Sequence, residues 1–202
     1  MQKSKKQQIS PKGYLSWSQL NMFERDVWLY KRVYIDGEEQ FESDALKIGK
    51  ALAERLENGI ECTDKLIEYL AIFMPKYQKR EFEIKGEFDG IPVLGKLDGF
   101  NEKTLEIGEY KTGKNWNQAL VDKSGQLTFY AMLVWLKYGK LPSKIKLHWA
   151  QTEVDDDGEL RITGSIKTFE TKRTLSDILL LGGRIKKAWE EILNLTEKYS
   201  TK

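Results

Sequence analysis

The sequence predicts an α+β fold, with helices first, then a mixed β-sheet carrying a helix after its third strand, two further strands and a closing helix. Three observations predict it. Between Glu81 and Lys111, apolar and polar residues alternate with the two-residue period of strands, broken by turn signals at Asp89-Gly90 and at Asn101-Glu102-Lys103. Upstream of this segment, and again from Gly125 to Tyr138, apolar residues recur at the three- and four-residue spacing of helices. A second pair of strand-like segments, Lys144 to Glu153 and Leu160 to Glu170, precedes a long helical pattern from Thr174 to about Tyr199.

The chain has 202 residues, 40% hydrophobic and 11% aromatic, enough for one fully cored domain. That domain is expected over residues 13–202. Residues 1–12 are polar, carry Lys3, Lys5 and Lys6, and offer too little apolar surface to fold, so they read as a flexible basic tail. A net charge of +2 gives no strong field toward polyanions. One cysteine, Cys62, excludes an internal disulfide and any multi-thiolate metal site; one histidine, His148, excludes a multi-histidine centre. Any metal chemistry must therefore use oxygen ligands. No apolar run reaches the ~20 residues of a membrane span and the N-terminus lacks a secretory apolar segment, so a cytoplasmic protein is expected.

In order, a first helix begins after Ser16 or Ser18 and carries Leu20, Phe23, Val27 and Tyr30 on its apolar side. A second, from about Ser43 to Asn58, includes Gly49, which permits close approach of a neighbour, and the carboxylates Glu54 and Glu57. A third, Thr63 to Phe73, stops before Pro75. A meander follows: Glu81 to Phe88 with Glu81, Glu83, Lys85 and Glu87 on its polar side, then Ile91 to Phe100 and Thr104 to Lys111. The helix from Gly125 sets Gln126 and Tyr130 on one side at i, i+4. His148 reads as a structural or surface residue. The closing helix has a stripe of Leu175, Ile178, Leu179, Ile185, Trp189 and Ile192, with Arg184, Lys186 and Lys187 on its exposed side. The acidic turn at residues 155–158 does not read as a calcium loop, because the glutamate needed at its last position is replaced by Gly164.

Chemistry concentrates between Gly95 and Gly113. In the third strand Leu105, Ile107, Glu109 and Lys111 share a face, so a carboxylate and an ammonium extend an apolar row. Buried charges cost several kcal/mol unless paired or metal-bound. Asp98 on the adjacent strand and Glu109 together can hold one hard divalent cation, with Lys111 beside it. Taken alone, Glu-x-Lys reads as a salt bridge on a solvated face.

The ordered set Ser16-x-Ser18-Gln19-Leu20, Gly49 within its helix, Gly95-x-x-Asp98, Glu109-x-Lys111-Thr-Gly and Gln126-x-x-x-Tyr130 resembles the RecB-like branch of the PD-(D/E)XK nuclease superfamily. The resemblance implies a restriction-endonuclease-like αβββαβ core and a metal-dependent DNA nuclease, an exonuclease acting in recombination, repair or phage DNA processing. It implies Mg²⁺ or Mn²⁺ on Asp98, Glu109 and the backbone carbonyl of Tyr110, and Asp98, Glu109 and Lys111 as catalytic residues. Gln126, Tyr130, Thr112 and Lys114 would contact DNA. Two departures stand out. The histidine that such proteins commonly carry on the glycine-bearing helix is Ala53 here, leaving Glu57 or Glu54 to replace it, and the cysteines of iron–sulfur relatives are missing. The alternative reading is a nuclease-fold module that binds nucleic acid or a protein partner without cutting.

Overall fold

The computed structural model describes residues 10–39, 44–59, 63–113, 115–156, 158 and 160–199. Most of the tail expected at 1–12, as well as Cys62 and Lys114, lies outside the described residues.

Helix α1 (Trp17–Arg25) starts at Ser16, whose hydroxyl accepts the Gln19 N–H at 3.4 Å. The single helix expected through Tyr30 is broken at Asp26. That residue is extended (φ −158°, ψ 97°), and its carboxylate accepts the N–H groups of Trp28 (3.0 Å) and Leu29 (2.9 Å), capping a new helix α2 (Val27–Tyr30). A π-helical turn, Lys31–Ile35, continues it. The break leaves Val27 exposed, while Leu20, Phe23 and Tyr30 are buried as expected. Helix α3 (Asp44–Asn58) and helix α4 (Lys65–Phe73) follow, the latter capped by Asp64.

The sheet contains β1 (Lys79–Phe88), β2 (Ile91–Asn101), β3 (Glu106–Lys111), β4 (Lys144–Val154) and β5 (Leu160–Thr171), in spatial order β1-β2-β3-β4-β5. Neighbours are antiparallel except β3 and β4, which are parallel. Parallel neighbours need a crossover, and α5 (Gln118–Asp122) with α6 (Gly125–Tyr138) provides it. Gly139, at φ 67°, ends α6 in the left-handed conformation that glycine adopts without strain. Helix α7 (Leu175–Tyr199) closes the chain, so the observed fold is the mixed-sheet α+β architecture read from the sequence.

Two apolar clusters hold the layers. The larger lies between the sheet and α1, α6 and α7; the smaller joins α3 and α4 to β4 and β5 through Leu52, Leu56, Ile67, Leu70, Met74, Ala150 and Ile162. Trp149 and Ala150, adjacent in β4, fall in different clusters, as expected for side chains alternating across a strand. Along α7 the buried face is Ile178, Leu181, Ile185, Ala188 and Ile192, whereas Leu175 and Leu179 are exposed. The apolar pattern there is wider than the face that α1 and α6 cover. Arg184 pairs with Glu24 at 2.5 Å and Lys186 pairs with Asp89, so two of the three cations expected on the helix's open side are engaged within the chain.

One packing detail governs the centre of the sheet. Gly99 of β2 and Gly108 of β3 are cross-strand partners, and the Tyr77 ring lies directly over both. The Tyr77 hydroxyl hydrogen-bonds His148 Nε2 at 2.7 Å, and His148 Nδ1 meets Thr168 Oγ1 at 2.8 Å. A Cβ at either glycine would overlap the ring. Gly108→Ala is therefore expected to lower stability by about 1–3 kcal/mol, the usual range for overpacking, measured by chemical denaturation.

Candidate active site

The registers bring three carboxylates together. Pairing of Gly99 with Gly108 sets Asp98 opposite Glu109 one step further along, and the pairs Arg80–Gly99 and Phe82–Leu97 set Glu81 opposite Asp98. All three line a cleft of about 360 Å³ between the sheet and α3, together with Gly49, Ala53, Glu57, Arg80, Lys111, Thr112 and Gln126.

Glu109 is 1% exposed, which for a carboxylate demands a partner. Lys111 Nζ meets its Oε1 at 2.6 Å. Its Oε2 is buried without a hydrogen-bond partner among the described residues. Asp98 accepts the Tyr110 N–H at 2.8 Å through Oδ2, which ties β2 to β3 where their ladder ends. Burial, reinforced by the Glu109 charge, pushes the Asp98 carboxyl well above the usual carboxylate range, against the opposing pull of the Tyr110 N–H and Lys111. Burial works to lower the Lys111 pKa, but the Glu109 charge and hydrogen bond outweigh it and hold the ammonium above its ordinary value. The Lys111 ammonium is thus held against Glu109, with a reluctant acid, Asp98, beside them.

Helix α3 passes close to this strand end at Gly49, where a Cβ would come within 3.2 Å of Thr112 Oγ1. Gln126, at the start of α6, donates from Nε2 to the Tyr130 hydroxyl at 3.0 Å. Tyr130 is buried, and its phenol is raised by burial and then by the nearby Glu109 charge. The cleft thus gathers Asp98, Glu109, Tyr110, Lys111, Thr112, Gln126 and Glu57, with Tyr130 behind Gln126. Glu54 is exposed on α3 and is not among the cleft residues. Glu57 sits 3.6 Å from Lys96 Nζ. His148 is buried, with a pKa lowered to about 4 by burial and then by Lys146, a neutral structural link rather than a base in the cleft.

Glu81 escaped the pattern reading because strict alternation assigned it to the solvated side of β1. Its backbone departs from that pattern, with φ +46° near the start of β1. Counting back from the tight turn at Asp89-Gly90 is the one signal in the sequence that sets Glu81 across from Asp98.

Against known structures, the chain has recognisable company. Its fold is that of solved exonucleases. A candidate exonuclease from Eubacterium rectale superposes with a TM-score of 0.59 at 14% identity, covering 97% of this chain and 88% of that one. An alkaline exonuclease from Laribacter hongkongensis gives 0.57 at 12% identity, covering 93% and 92%. No protein-family model matches the sequence, and no curated protein matches it. No helix among the described residues is long and apolar enough to cross a membrane.

The raised Asp98 pKa has a stability consequence whose sign is fixed. The folded chain holds this proton more tightly than the unfolded chain, whose aspartate titrates near ~3.9, so stability falls as pH rises from there through the folded value and stays reduced above it. Asp98→Asn is expected to raise the metal-free melting temperature at pH 7 by a few degrees, on the order of 1 kcal/mol, with the gain shrinking toward pH 3. Denaturation across that pH range measures it.

Proposed function

We propose that the chain is a Mg²⁺- or Mn²⁺-dependent deoxyribonuclease of the RecB-like PD-(D/E)XK type, trimming DNA from its ends in recombination, repair or phage DNA processing. The observation carrying this reading is the orphaned Glu109 Oε2, buried in a cleft beside Asp98 and Lys111. A buried carboxylate oxygen with nothing to accept from is costly in a merely structural strand and natural in a cation site. The donors are all oxygen, as hard divalent cations require. Among the described residues no three acidic, histidine or cysteine groups form a ready-made cage. That suits Mg²⁺, which takes one or two carboxylates and completes its shell with water and substrate phosphate.

In this reading Asp98, Glu109 and the Tyr110 carbonyl would hold the cation. When bound, it supplies an acidified water and neutralises charge on the scissile phosphate. Lys111 orients the attacking water and offsets charge building on the phosphate. Gln126, fixed by Tyr130, and Thr112 bind the DNA backbone at the cleft wall. Both structural relatives described above are named as exonucleases, which favours end-directed cutting.

Incubation with linear and covalently closed DNA tests the reading. Linear DNA is expected to shorten with Mg²⁺ or Mn²⁺ and to persist with EDTA, and closed circles to survive. Lys111→Ala should slow cleavage by about 10²–10⁴-fold and Asp98→Ala should abolish it. Cleavage that survives Asp98→Ala refutes the site. Absence of both Mn²⁺ binding and cleavage would favour the other reading, a module that binds DNA or a protein without cutting it.

A further inference from the structure

Helix α4 is apolar almost all the way round. Seven of its nine residues are apolar, and of these Ile67, Leu70 and Ala71 pack into the smaller cluster with α3, β4 and β5. A helix with apolar residues on every side is ordinarily buried on every side. Here the outward row Leu66, Tyr69 and Phe73, at i, i+3 and i+7, is 41%, 47% and 59% exposed, and Ile72 beside it is 64% exposed. The Tyr69 and Phe73 rings lie 4.5 Å apart, so the row is one continuous surface rather than scattered side chains. Since an aromatic side chain can bury ~150–250 Å², the four residues together present roughly 400 Å² of apolar surface, within the ~300–600 Å² of the largest patch on a typical monomer.

We propose that this row is the interface of a two-fold symmetric homodimer, in which the α4 helices of two copies pack antiparallel with Tyr69 of both at the axis. The inference holds whether or not the chain cuts DNA. What selects a second copy is the charge at the two ends of the helix. Asp64 caps the N-terminus through Oδ1, and Lys76 lies just past the C-terminus; both are exposed, and Lys76 forms no ion pair among the described residues. In antiparallel packing centred on Tyr69, Leu66 of one copy meets Phe73 of the other and Asp64 of one meets Lys76 of the other. One register thus satisfies the apolar and the charged positions, and symmetry repeats each contact. The positive N-terminal end of each helix then also faces the negative C-terminal end of the other. Two such rows bury roughly 800 Å² of apolar surface; with their polar rim they reach the lower end of specific interfaces, about 1,200 Å², which suits a reversible dimer of micromolar affinity. None of the four residues lines the cleft, so both clefts stay open. Helix α4 also backs the cleft wall, because Arg55 of α3 donates to both oxygens of Glu68, at 2.7 and 2.8 Å. Pairing through α4 therefore braces α3 in each copy.

Sedimentation velocity of the full chain, from low-micromolar to several-hundred-micromolar concentration, tests this without any assay of activity. The parental chain is expected to pass from monomer to dimer across that range. Phe73→Ala is expected to weaken the dimer at least about tenfold, and Tyr69→Glu, which sets two carboxylates together at the axis, to leave monomer throughout. Lys76→Glu sets like charges against each other and should weaken the dimer several-fold; adding Asp64→Asn, which keeps the helix cap, should recover part of that loss. All four side chains are exposed, and a thermal melt of each variant establishes that it is folded. A parental chain that stays monomeric overturns the inference and leaves the row to a different protein. A dimer untouched by Tyr69→Glu overturns it too, as does assembly into a trimer or an open polymer. Failure of Asp64→Asn to recover any of the Lys76→Glu loss overturns the antiparallel register.

Discussion

The interaction on which the rest of this structure depends is the burial of Glu109 against Lys111. An exposed pair of this kind contributes little, and a buried one recovers its desolvation cost only when every oxygen is satisfied. Among the described residues one oxygen is satisfied and the other is not. The fold therefore maintains an arrangement that serves stability poorly. It does so with neutral backbone devices: the Tyr110 N–H on Asp98, and the glycines that let the neighbouring elements close in.

Topology explains why the charges converge at this point. Of the pairings between the five strands, β3–β4 is the parallel one, so the chain must leave β3, travel through α5 and α6, and return beside it. The start of α6 is thereby brought to the end of β3, which sets Gln126 at the cleft formed by Asp98 and Glu109. From the other side, α3 and the smaller apolar cluster supply the wall carrying Gly49 and Glu57. Arg173 secures the crossover: all its N–H groups are taken up by Thr128, Thr171 and the carbonyls of Lys172, Val121 and Ser124, linking the α5–α6 turn to the end of β5.

Much of this architecture was legible in the sequence because its signals are local. Asp89-Gly90, the two-residue alternation and Gly139 report on their own neighbourhoods, and the elements around them fall where expected. The convergence of Asp98, Glu109 and Lys111 was legible because hairpin registers propagate by counting. What escaped was decided elsewhere. At Asp26 a side-chain cap outcompeted the apolar periodicity that runs through it. On α7, Leu175 and Leu179 continue the apolar pattern, but they lie off the face that packs on α1 and α6. Glu81 reads as one more solvated glutamate, and nothing local announces its left-handed backbone within β1. Both nitrogens of His148 are occupied by partners 71 and 20 residues away in the chain, which no local pattern can reveal.

The tyrosine ring resting on the two cross-strand glycines also makes the two faces of the sheet mechanically interdependent. Gly99 and Gly108 immediately adjoin Asp98 and Glu109, and side chains alternate, so the ring presses on the reverse of the strands that carry the acids. Changes made around Pro75 and Tyr77, which meet the cleft residue Tyr110 from the reverse side, would therefore be transmitted as a shift in carboxylate spacing. In such a sheet, sensitivity to substitution follows the thickness of the backbone rather than distance along the surface.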